Sequence, residues 1–365
     1  MVALKTIAFY LPQFHPIREN DLWWSKGFTE WTNVTKARSQ FRGHLQPHLP
    51  SDLGFCDLRL SETRVAQAEL AKEYGISGFM YYHYWFSGRR ILERPFNEVL
   101  GSGSPDFPFC LCWANENWTR TWDGRDKDVL LAQHYKPNDD VQHIRDIATA
   151  LIDPRYMRVN NKPLFAVYRA TSIPDVKKTT DAWREEAYRL GIGELYLCRV
   201  ESFQSEQSDP TSLGFDASIE FAPDWNCIGP LLGRSRIDRW MYKLDRNRRY
   251  AMFNRVMEYD TLANNMLCKP TVDYRRYRCV TPMWDNCARR SHDAFTLIGS
   301  TPKKYEAWLT SIVADALATQ KEPLVFVNAW NEWAEGNHLE PCQRFGRAYL
   351  EATKRATGTA TTLEQ

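Results

Sequence analysis

The stretch Val325–Pro341, with the sequence VFVNAWNEWAEGNHLEP, changes character halfway along its length. It begins with an apolar run of the kind found in a buried strand. Directly after this run come three carboxylates, Glu332, Glu335 and Glu340, among tryptophans and asparagines. A charge near a buried strand is costly unless it is paired or used in chemistry. The stretch therefore predicts a strand that ends in a functional site.

Other short apolar runs alternate with amphipathic helical patterns along most of the 365 residues. Such alternation is typical of parallel βαβ units. Eight strands with helices between them predict an α/β fold, a single (β/α)8 TIM barrel, rather than a doubly wound sheet. The predicted strands are Thr6–Leu11, Gly78–Tyr84, Phe107–Trp113, Leu164–Tyr168, Leu195–Val200, Ala217–Phe221, Val280–Trp284 and Leu324–Trp330.

One domain accounts for the chain, since no repeat, low-complexity tract or Pro/Gly linker divides it. Residues 1–356 are predicted to be the (β/α)8 catalytic domain and residues 357–365 a flexible C-terminal tail. The segment 231–260, between the sixth and seventh strands, is too long for an ordinary loop and predicts a helical insertion. Its arginines are compatible with a nucleic-acid patch, but interleaved acidic residues favour a solvated face.

Composition favours a carbohydrate ligand over several other partners. Aromatic residues make up 13% of the chain, with 14 Trp and 17 Tyr. Such rings suit a wet cleft in which the apolar faces of sugars stack, although a Trp-rich core also uses them. The net charge of +2 gives no broad field that attracts nucleic acid or anionic membranes. Nowhere do about 18 apolar residues occur together, so no membrane span is predicted.

The cysteines and glycines predict no cofactor and no metal. The nine cysteines include no CxxC pair or Cys/His array with zinc spacing, which favours buried free thiols in a reducing compartment. The N-terminus is too short and polar for a signal peptide, so the chain is predicted to be cytoplasmic. Gly101 and Gly103 lack the rest of a dinucleotide fingerprint. Four histidines have spacings that match no helical metal motif, namely His15, His44, His48 and His83.

Polar and aromatic residues follow every predicted strand. In a (β/α)8 barrel the carboxyl ends of the strands surround one active site. Caps and turns explain any one of these residues, but they explain the whole ring poorly. Sugar hydroxyls need donors and acceptors, and sugar faces need rings. The predicted substrate-binding residues are Gln13, His15, His83, Tyr84, Trp85, Asn115, Glu116, Trp118, Tyr168, Arg169, Glu220, Trp284, Asp285, Asn331 and Glu340.

Glu332 and Glu335 are predicted to be the catalytic residues. Where strand gives way to loop, both side chains can reach one cavity, whereas a continued strand would put them on opposite faces. Two nearby carboxylates perturb each other's pKa, so one can stay protonated near neutrality and act as an acid. The alternative interpretation is a pair of acids favoured by the dipole at a helix N-terminus.

The sequence resembles two known families. The motif NAWNEWAEGNHLEP resembles the strand-eight signature of the glycoside hydrolase family 99 endo-α-mannosidases and endo-mannanases. Nearly the whole chain is similar to the WbsX-type bacterial proteins, a glycosyltransferase family found with polysaccharide biosynthesis. The segments that carry this second resemblance are AFYLPQFHP, NDLWWSKGFTEWTNV, QPHLPSDLGFCDLR, GFMYYHYWFSGRR, CWANENWTRTWDG and WDNCARR.

The family 99 resemblance implies a retaining glycoside hydrolase that acts on α-mannoside-like linkages of a bacterial polysaccharide. It implies that Glu332 is the base and Glu335 the general acid. The sugar 2-hydroxyl is then the internal nucleophile, so no protein nucleophile is needed. This chain carries Ala334 and His338 where those mannosidases usually have histidine and glutamine, and these departures bear on the identity of the sugar.

The WbsX resemblance implies instead a glycosyltransferase of O-antigen or capsular polysaccharide biosynthesis. Residues 126–128 have the D-x-D pattern of a metal-bridged diphosphate site, although a solvated turn explains so short a match. A non-catalytic sugar-binding module is a third hypothesis, but binding alone gives no reason for Glu332 and Glu335 together. All three hypotheses predict an oligosaccharide or polysaccharide as the partner.

Overall fold

The computed structural model describes residues 3–120, 125–233, 250–251, 253–290 and 293–362. The strands, in chain order, are β1 (Lys5–Tyr10), β2 (Gly78–Phe86), β3 (Arg89–Ile91), β4 (Phe109–Trp113), β5 (Trp118–Arg120), β6 (Arg125–Leu131), β7 (Arg158–Val159), β8 (Lys162–Val167), β9 (Tyr196–Glu201), β10 (Ala217–Glu220), β11 (Arg255–Glu258), β12 (Arg276–Tyr277), β13 (Cys279–Val280), β14 (Phe295–Ile298), β15 (Leu324–Val327), β16 (Asn331–Glu332) and β17 (Asn337–His338). The α-helices are α1 (Arg18–Trp23), α2 (Glu30–Val34), α3 (Ser61–Glu73), α4 (Arg94–Ser102), α5 (Asp139–Ile152), α6 (Val176–Arg189), α7 (Tyr259–Leu267), α8 (Pro302–Thr319) and α9 (Ala348–Thr362).

Nine of these strands form a nearly closed parallel barrel, in the order β12-β10-β9-β8-β4-β2-β1-β15-β13. The end strands β12 and β13 are separated in the chain by Arg278, so the backbone itself links the two edges of the sheet. β12 pairs with β10, and β13 pairs with β15. Because β12 and β13 together fill the seventh position, the predicted (β/α)8 TIM barrel is confirmed.

The predicted strand boundaries differ from the observed ones by up to four residues. The end of the eighth strand, for example, was predicted at Trp330 and is observed at Val327. Two of the differences occur at prolines. The seventh strand was expected at Val280–Trp284, but β13 ends at Val280. Pro282 has no backbone N–H with which to extend the ladder. The third strand was expected from Phe107 and begins two residues later, directly after Pro108. Proline therefore shortens strands at both ends of the barrel.

The helices that connect the strands bury one face each. In α8 the spacing of the buried residues follows the 3.6-residue period of an amphipathic helix. Those residues are Tyr305, Trp308, Leu309, Ile312, Val313 and Ala316. The helices that the apolar period predicts thus form the outer layer of the barrel.

Aromatic rings fill the interior of the barrel. The ring of Phe9, on β1, lies 5.6 Å from Tyr82, 5.8 Å from Phe221 and 6.2 Å from Phe326, measured between centroids. All four rings are buried. Tyr82 and Phe221 also line a cavity above this layer, so the aromatic layer is the floor of the site.

Two sequence predictions concern segments that the structure describes in part. Of the expected helical insertion at 231–260, residues 234–249 and 252 lie outside the described residues. The described end of that segment forms β11 and the start of α7. Helix α9 continues to Thr362, into the expected tail at 357–365, whose last three residues lie outside the described part. The division into domain and tail stays a prediction.

Two global properties accompany this fold. All nine cysteines are free, and seven of them are buried, as the sequence predicts for thiols without a pairing pattern. Across the described ranges, no helix is both long enough and apolar enough to cross a bilayer.

Candidate active site

A cavity of about 390 Å³ lies at the carboxyl end of the barrel strands. Its wall is built from residues that end or follow the barrel strands, which is where this fold places its active sites. They include Leu11 after β1, Tyr84 on β2, Ala114 after β4, Tyr168 after β8, Phe203 after β9, Phe221 after β10, Trp284 after β13 and Glu332 after β15.

Glu332 and Glu335 enter this cavity from one tight turn. Glu332 ends β16, and residues Trp333–Glu335 form a single 3-10 turn. Gly336 then adopts a positive φ of 55°, and a Cβ atom there would lie about 3.0 Å from the backbone of Asp285. Because the chain turns between Glu332 and Glu335, before this glycine, both carboxylates line the same cavity.

The guanidinium of Arg289 binds both of these carboxylates. Its Nη2 lies 2.8 Å from Glu332 Oε2, and its Nη1 lies 2.7 Å from Glu335 Oε1. The planar guanidinium offers donors in a fixed fork, so it sets the orientation of the two acids relative to each other.

Glu30 is a third carboxylate in the same cluster and is fully buried. It is the first residue of α2, and its Oε1 accepts from Arg289 Nη2 at 3.0 Å. The same oxygen accepts the backbone N–H of Ala334 at 3.0 Å. Ala334 lies between the two cavity glutamates, so Glu30 contacts both the guanidinium and the turn.

Burial changes the protonation of the pair. Burial raises the pKa of Glu332 to about 8, and the nearby Arg289 opposes this rise in part. Burial also raises the pKa of Glu335, again with Arg289 acting in the opposite direction. A raised pKa lets a carboxyl group hold a proton near neutrality and donate it as a general acid.

Aromatic side chains stand around the carboxylates. Trp118 packs edge-on against Tyr84, with 5.4 Å between ring centroids, and against Trp23 at 5.5 Å. Across the cavity, Trp225 and Trp284 pack edge-on at 6.0 Å. Trp118, Tyr84, Trp225 and Trp284 all line the cavity. Rings that stand near hydrogen-bonding groups suit the mixed polar and apolar surface of a sugar.

The two Asn-Glu pairs, Asn331-Glu332 and Asn115-Glu116, place their side chains in the same way. Asn331 accepts from Leu11 N at 2.7 Å and donates to Leu11 O at 3.0 Å. Asn115 makes the equivalent pair of bonds with the backbone of Arg169, each at 2.8 Å. In both cases the asparagine ties neighbouring strand ends together, and the following glutamate lines the cavity.

The structure brings eight of the seventeen predicted site residues to the cavity wall. They are Gln13, Tyr84, Glu116, Trp118, Tyr168, Trp284, Glu332 and Glu335. Their roles in catalysis or binding stay predictions.

The other nine lie outside the cavity wall. His15 is buried, Asn115 and Asn331 tie the strand ends, and Arg169 stacks on Phe203. The remaining five make polar contacts elsewhere: His83 with His143, Trp85 with Asp146, Glu220 with Lys269, Arg276 and Arg278, Asp285 with His44, and Glu340 with Gln67 and Trp333.

Asp285 belongs to a buried cluster with His44 and Cys287, whose potential ligand atoms lie within 4.8 Å of one another. His44 Nδ1 accepts the backbone N–H of Gln40 at 2.9 Å, so its Nε2 carries the ring proton. That nitrogen lies 2.5 Å from Asp285 Oδ2. A metal ion would need the Nε2 lone pair instead. The cluster is therefore better suited to a hydrogen bond than to a metal ion.

Sequence reasoning assigned no role to Glu30 or Arg289. Both lie in segments that carry the WbsX resemblance, NDLWWSKGFTEWTNV and WDNCARR. An acid in a loop rich in tryptophan, and an arginine shortly after a barrel strand, were the available signals. Neither signal tells which carboxylate meets which guanidinium.

Comparison with solved structures indicates the broad fold class to which the chain belongs. A chain named glycoside hydrolase-like protein has a TM-score of 0.61 and 13% identity, covering 98% of this chain and 94% of that one. An endo-α-mannosidase of glycoside hydrolase family 99 from Bacteroides thetaiotaomicron, solved with bis-tris-propane, has a TM-score of 0.59 and 14% identity, with 98% of each chain covered. At such low identity the likeness shows the shared barrel fold.

The sequence itself shows the particular family. Residues 6–353 match the family described as glycosyltransferase WbsX, and the chain belongs to that family. Proteins described as uncharacterized protein WxcX, from two strains of Xanthomonas campestris pv. campestris, are each 44% identical over 352 residues. The match covers 96% of this chain and 49% of theirs, so the chain spans about half the length of these curated relatives.

Proposed function

We propose that this chain is a carbohydrate-active enzyme, a retaining glycoside hydrolase that cleaves α-mannoside-like linkages of a bacterial polysaccharide. The observation that carries the proposal is the binding of Glu332 and Glu335 to one guanidinium inside an aromatic-lined cavity. Two carboxyl groups with different roles are the usual requirement for glycoside cleavage. The cavity volume of about 390 Å³ falls within the range of roughly 300–1,000 Å³ for small-molecule sites.

In the first step, Glu332 takes the proton of the sugar 2-hydroxyl. The freed oxygen attacks the anomeric carbon of the same sugar and forms a 1,2-anhydro ring. The bond between that carbon and the glycosidic oxygen breaks, and Glu335 gives its proton to the departing oxygen. Burial raises the pKa of both glutamates, that of Glu332 to about 8, so the assignment of Glu332 as base and Glu335 as acid rests on the family 99 resemblance and not on the pKa shifts.

In the second step, water replaces the departed sugar. Glu335 takes a proton from the water as its oxygen attacks the anomeric carbon. The bond from that carbon to O2 breaks, and Glu332 returns its proton to O2. Two inversions at one carbon give net retention, and no bond to the protein forms.

A glycosyltransferase is the second candidate, because the chain belongs to the WbsX glycosyltransferase family. In this version the site transfers a sugar during O-antigen or capsular polysaccharide biosynthesis. The D-x-D segment at 126–128 lies in β6, which pairs with β5, and the cavity residue Trp118 on β5 pairs with Leu131 at the other end of β6. The side chains of residues 125–127 lie outside the described part of the chain.

The deciding experiment supplies both kinds of substrate to the purified chain. We expect α-linked manno-oligosaccharides to be hydrolysed, with NMR showing a product of retained anomeric configuration. The matched 2-deoxy analogue should be inert, because it lacks the internal nucleophile. Normal turnover of that analogue would contradict the mechanism. Sugar transfer that requires a nucleotide-sugar donor, with no hydrolysis, would assign the chain to the transferases.

A further inference from the structure

The buried cluster below the cavity contains a carboxylate to which the proposed reaction assigns no step. We infer that Glu30 is a positioning residue, which fixes the Glu332–Glu335 turn and, with Arg289, sets the pH range over which that pair works. This inference rests on the proposed function of the pair and adds a residue from a distant part of the chain.

The first support is the geometry of a single oxygen atom. Oε1 of Glu30 accepts from both Arg289 Nη2 and the backbone N–H of Ala334. Glu30 and Ala334 are 304 positions apart in the chain. The contact therefore ties the N-terminal helix α2 to the loop of the last barrel strand. Movement of Glu30 would shift the guanidinium and the turn together.

The second support is the balance of charge. Three carboxylates, from Glu30, Glu332 and Glu335, bind one guanidinium. Glu30 and the other glutamates compete for Arg289, and like charges in a buried site favour retention of a proton. Glu30 acts on both members of the pair in this direction. Removal of its charge should therefore make both cavity acids easier to ionise.

Other groups around the pair change its charge little in the neutral range. Tyr82 and Tyr84 on β2 and Tyr168 after β8 face the glutamates, and burial raises the pKa of each phenol well above its usual value. Arg290 lines the cavity and favours ionisation of Glu335. The tyrosines stay neutral, so Glu332 and Glu335 are the groups whose raised pKa values bear on the neutral range.

The third support is the cost of the arrangement. Oε2 of Glu30 is buried and has no hydrogen-bond partner among the described residues. An unsatisfied buried carboxylate oxygen is costly. Glu206 carries the same cost, and Glu30 differs from it in that the other oxygen of Glu30 binds Arg289 and the turn of the catalytic pair.

The test compares Glu30→Gln with a matched control. Glutamine keeps the shape and the accepting oxygen, and it removes the charge. Glu206→Gln is the control, because Glu206 is also fully buried, accepts from Thr171 through one oxygen and has a second oxygen that no described residue contacts by a hydrogen bond. The kcat and KM of both variants are measured from pH 4 to pH 10 on a hydrolysed oligosaccharide.

We expect both limbs of the Glu30→Gln profile to move to lower pH by about one unit, the usual size for loss of a close like charge. The kcat on the alkaline side should fall roughly tenfold, and KM should change little. The Glu206→Gln profile should coincide with that of the wild type. A Glu30→Gln profile that is lower but unshifted would overturn the inference, because a purely structural residue behaves in that way.

A second variant and a second measurement cover loss of folding or of activity. Glu30→Asp keeps the charge and shortens the reach, so it should lower kcat without moving the profile; a wild-type kcat would overturn the inference. NMR titration of the glutamate carboxyl carbons reports on the pair without turnover. If the chain hydrolyses no oligosaccharide and Glu30→Gln still lowers the titration midpoints of Glu332 and Glu335, the hydrolase proposal is rejected. The effect of the Glu30 charge on the pair then stands. Unchanged midpoints would overturn the inference.

Discussion

Two groups of buried charges lie near the ends of barrel strands, and they differ in their balance. In the cavity, Arg289 binds three carboxylates. At the end of β10, Glu220 meets three cations, Lys269 at 3.4 Å, Arg276 at 3.3 Å and Arg278 at 3.0 Å, and Lys269 also binds Asp224 at 2.7 Å. The first group has an excess of carboxylates, two of which line the cavity, and the second is an ion-pair network whose residues are not on the cavity wall.

The difference arises from the alternation of side chains along a strand. Phe221 packs on Phe9 inside the barrel and lines the cavity. The preceding residue, Glu220, therefore points to the opposite face of the sheet, where Lys269 follows α7. Position at a strand end is thus a weak sign of function unless the side chain also points inward.

The largest expected effect concerns the cavity group. Glu332→Gln and Glu335→Gln should each lower the hydrolysis rate by about 10²- to 10⁴-fold, because each removes a proton transfer. Thermal unfolding should change little, since neither acid is placed there for stability. Steady-state kinetics and circular dichroism of the same preparations measure both quantities. Full activity of Glu332→Gln on a proven substrate would show that the assigned roles are wrong.

The second prediction concerns the ion pairs of Glu220 at the end of β10, where we expect a loss of stability and little change in activity. Glu220→Ala leaves Arg276 and Arg278 without this carboxylate, while Lys269 keeps Asp224, and it should lower the free energy of unfolding by about 3–5 kcal/mol. Turnover per folded molecule should stay near that of the wild type. Urea unfolding followed by tryptophan fluorescence gives both the stability and the folded fraction under the conditions of the assay.

A matched control for this variant is Glu186→Ala. Glu186 also binds two guanidiniums, those of Arg145 and Arg189, but both are about half exposed. Exposed ion pairs contribute at most about 1 kcal/mol, so the control should lose much less stability. If Glu220→Ala kept its stability and lost turnover, Glu220 would belong to the site, as the sequence alone suggests.

The barrel and its catalytic turn could be predicted because their signals are local. Apolar runs separated by amphipathic helices gave all eight barrel positions, and prolines moved some boundaries by a few residues. Glu332 and Glu335 share one short motif, so their proximity followed from the bend between strand and loop. The contact between Glu30 and Ala334 spans 304 positions, and no pattern within one segment reveals such a pair.

The direction of side chains was the second limit of prediction. The strand-end residues Glu220 and Asn331 have the residue types of a sugar site, but one meets cations outside the barrel and the other ties strand ends together. In Asn115-Glu116 and Asn331-Glu332 the sequence is alike, and only the glutamates line the cavity. Of two adjacent residues, one side chain thus lines the cavity and the other bonds to the neighbouring backbone.

Glu116 is the intermediate case, and its replacement should have the smallest effect. Its carboxylate lines the cavity, is 52% exposed and lies 3.7 Å from Arg169. We expect Glu116→Ala to weaken oligosaccharide binding roughly tenfold, as for loss of one charged hydrogen bond, and to leave stability nearly unchanged. Isothermal titration measures the affinity. Glu194→Ala is the control, because Glu194 is 61% exposed and its partners Lys162 and Arg184 are not on the cavity wall. Equal affinity of the two variants would remove Glu116 from the site and limit the functional carboxylates to those that Arg289 binds.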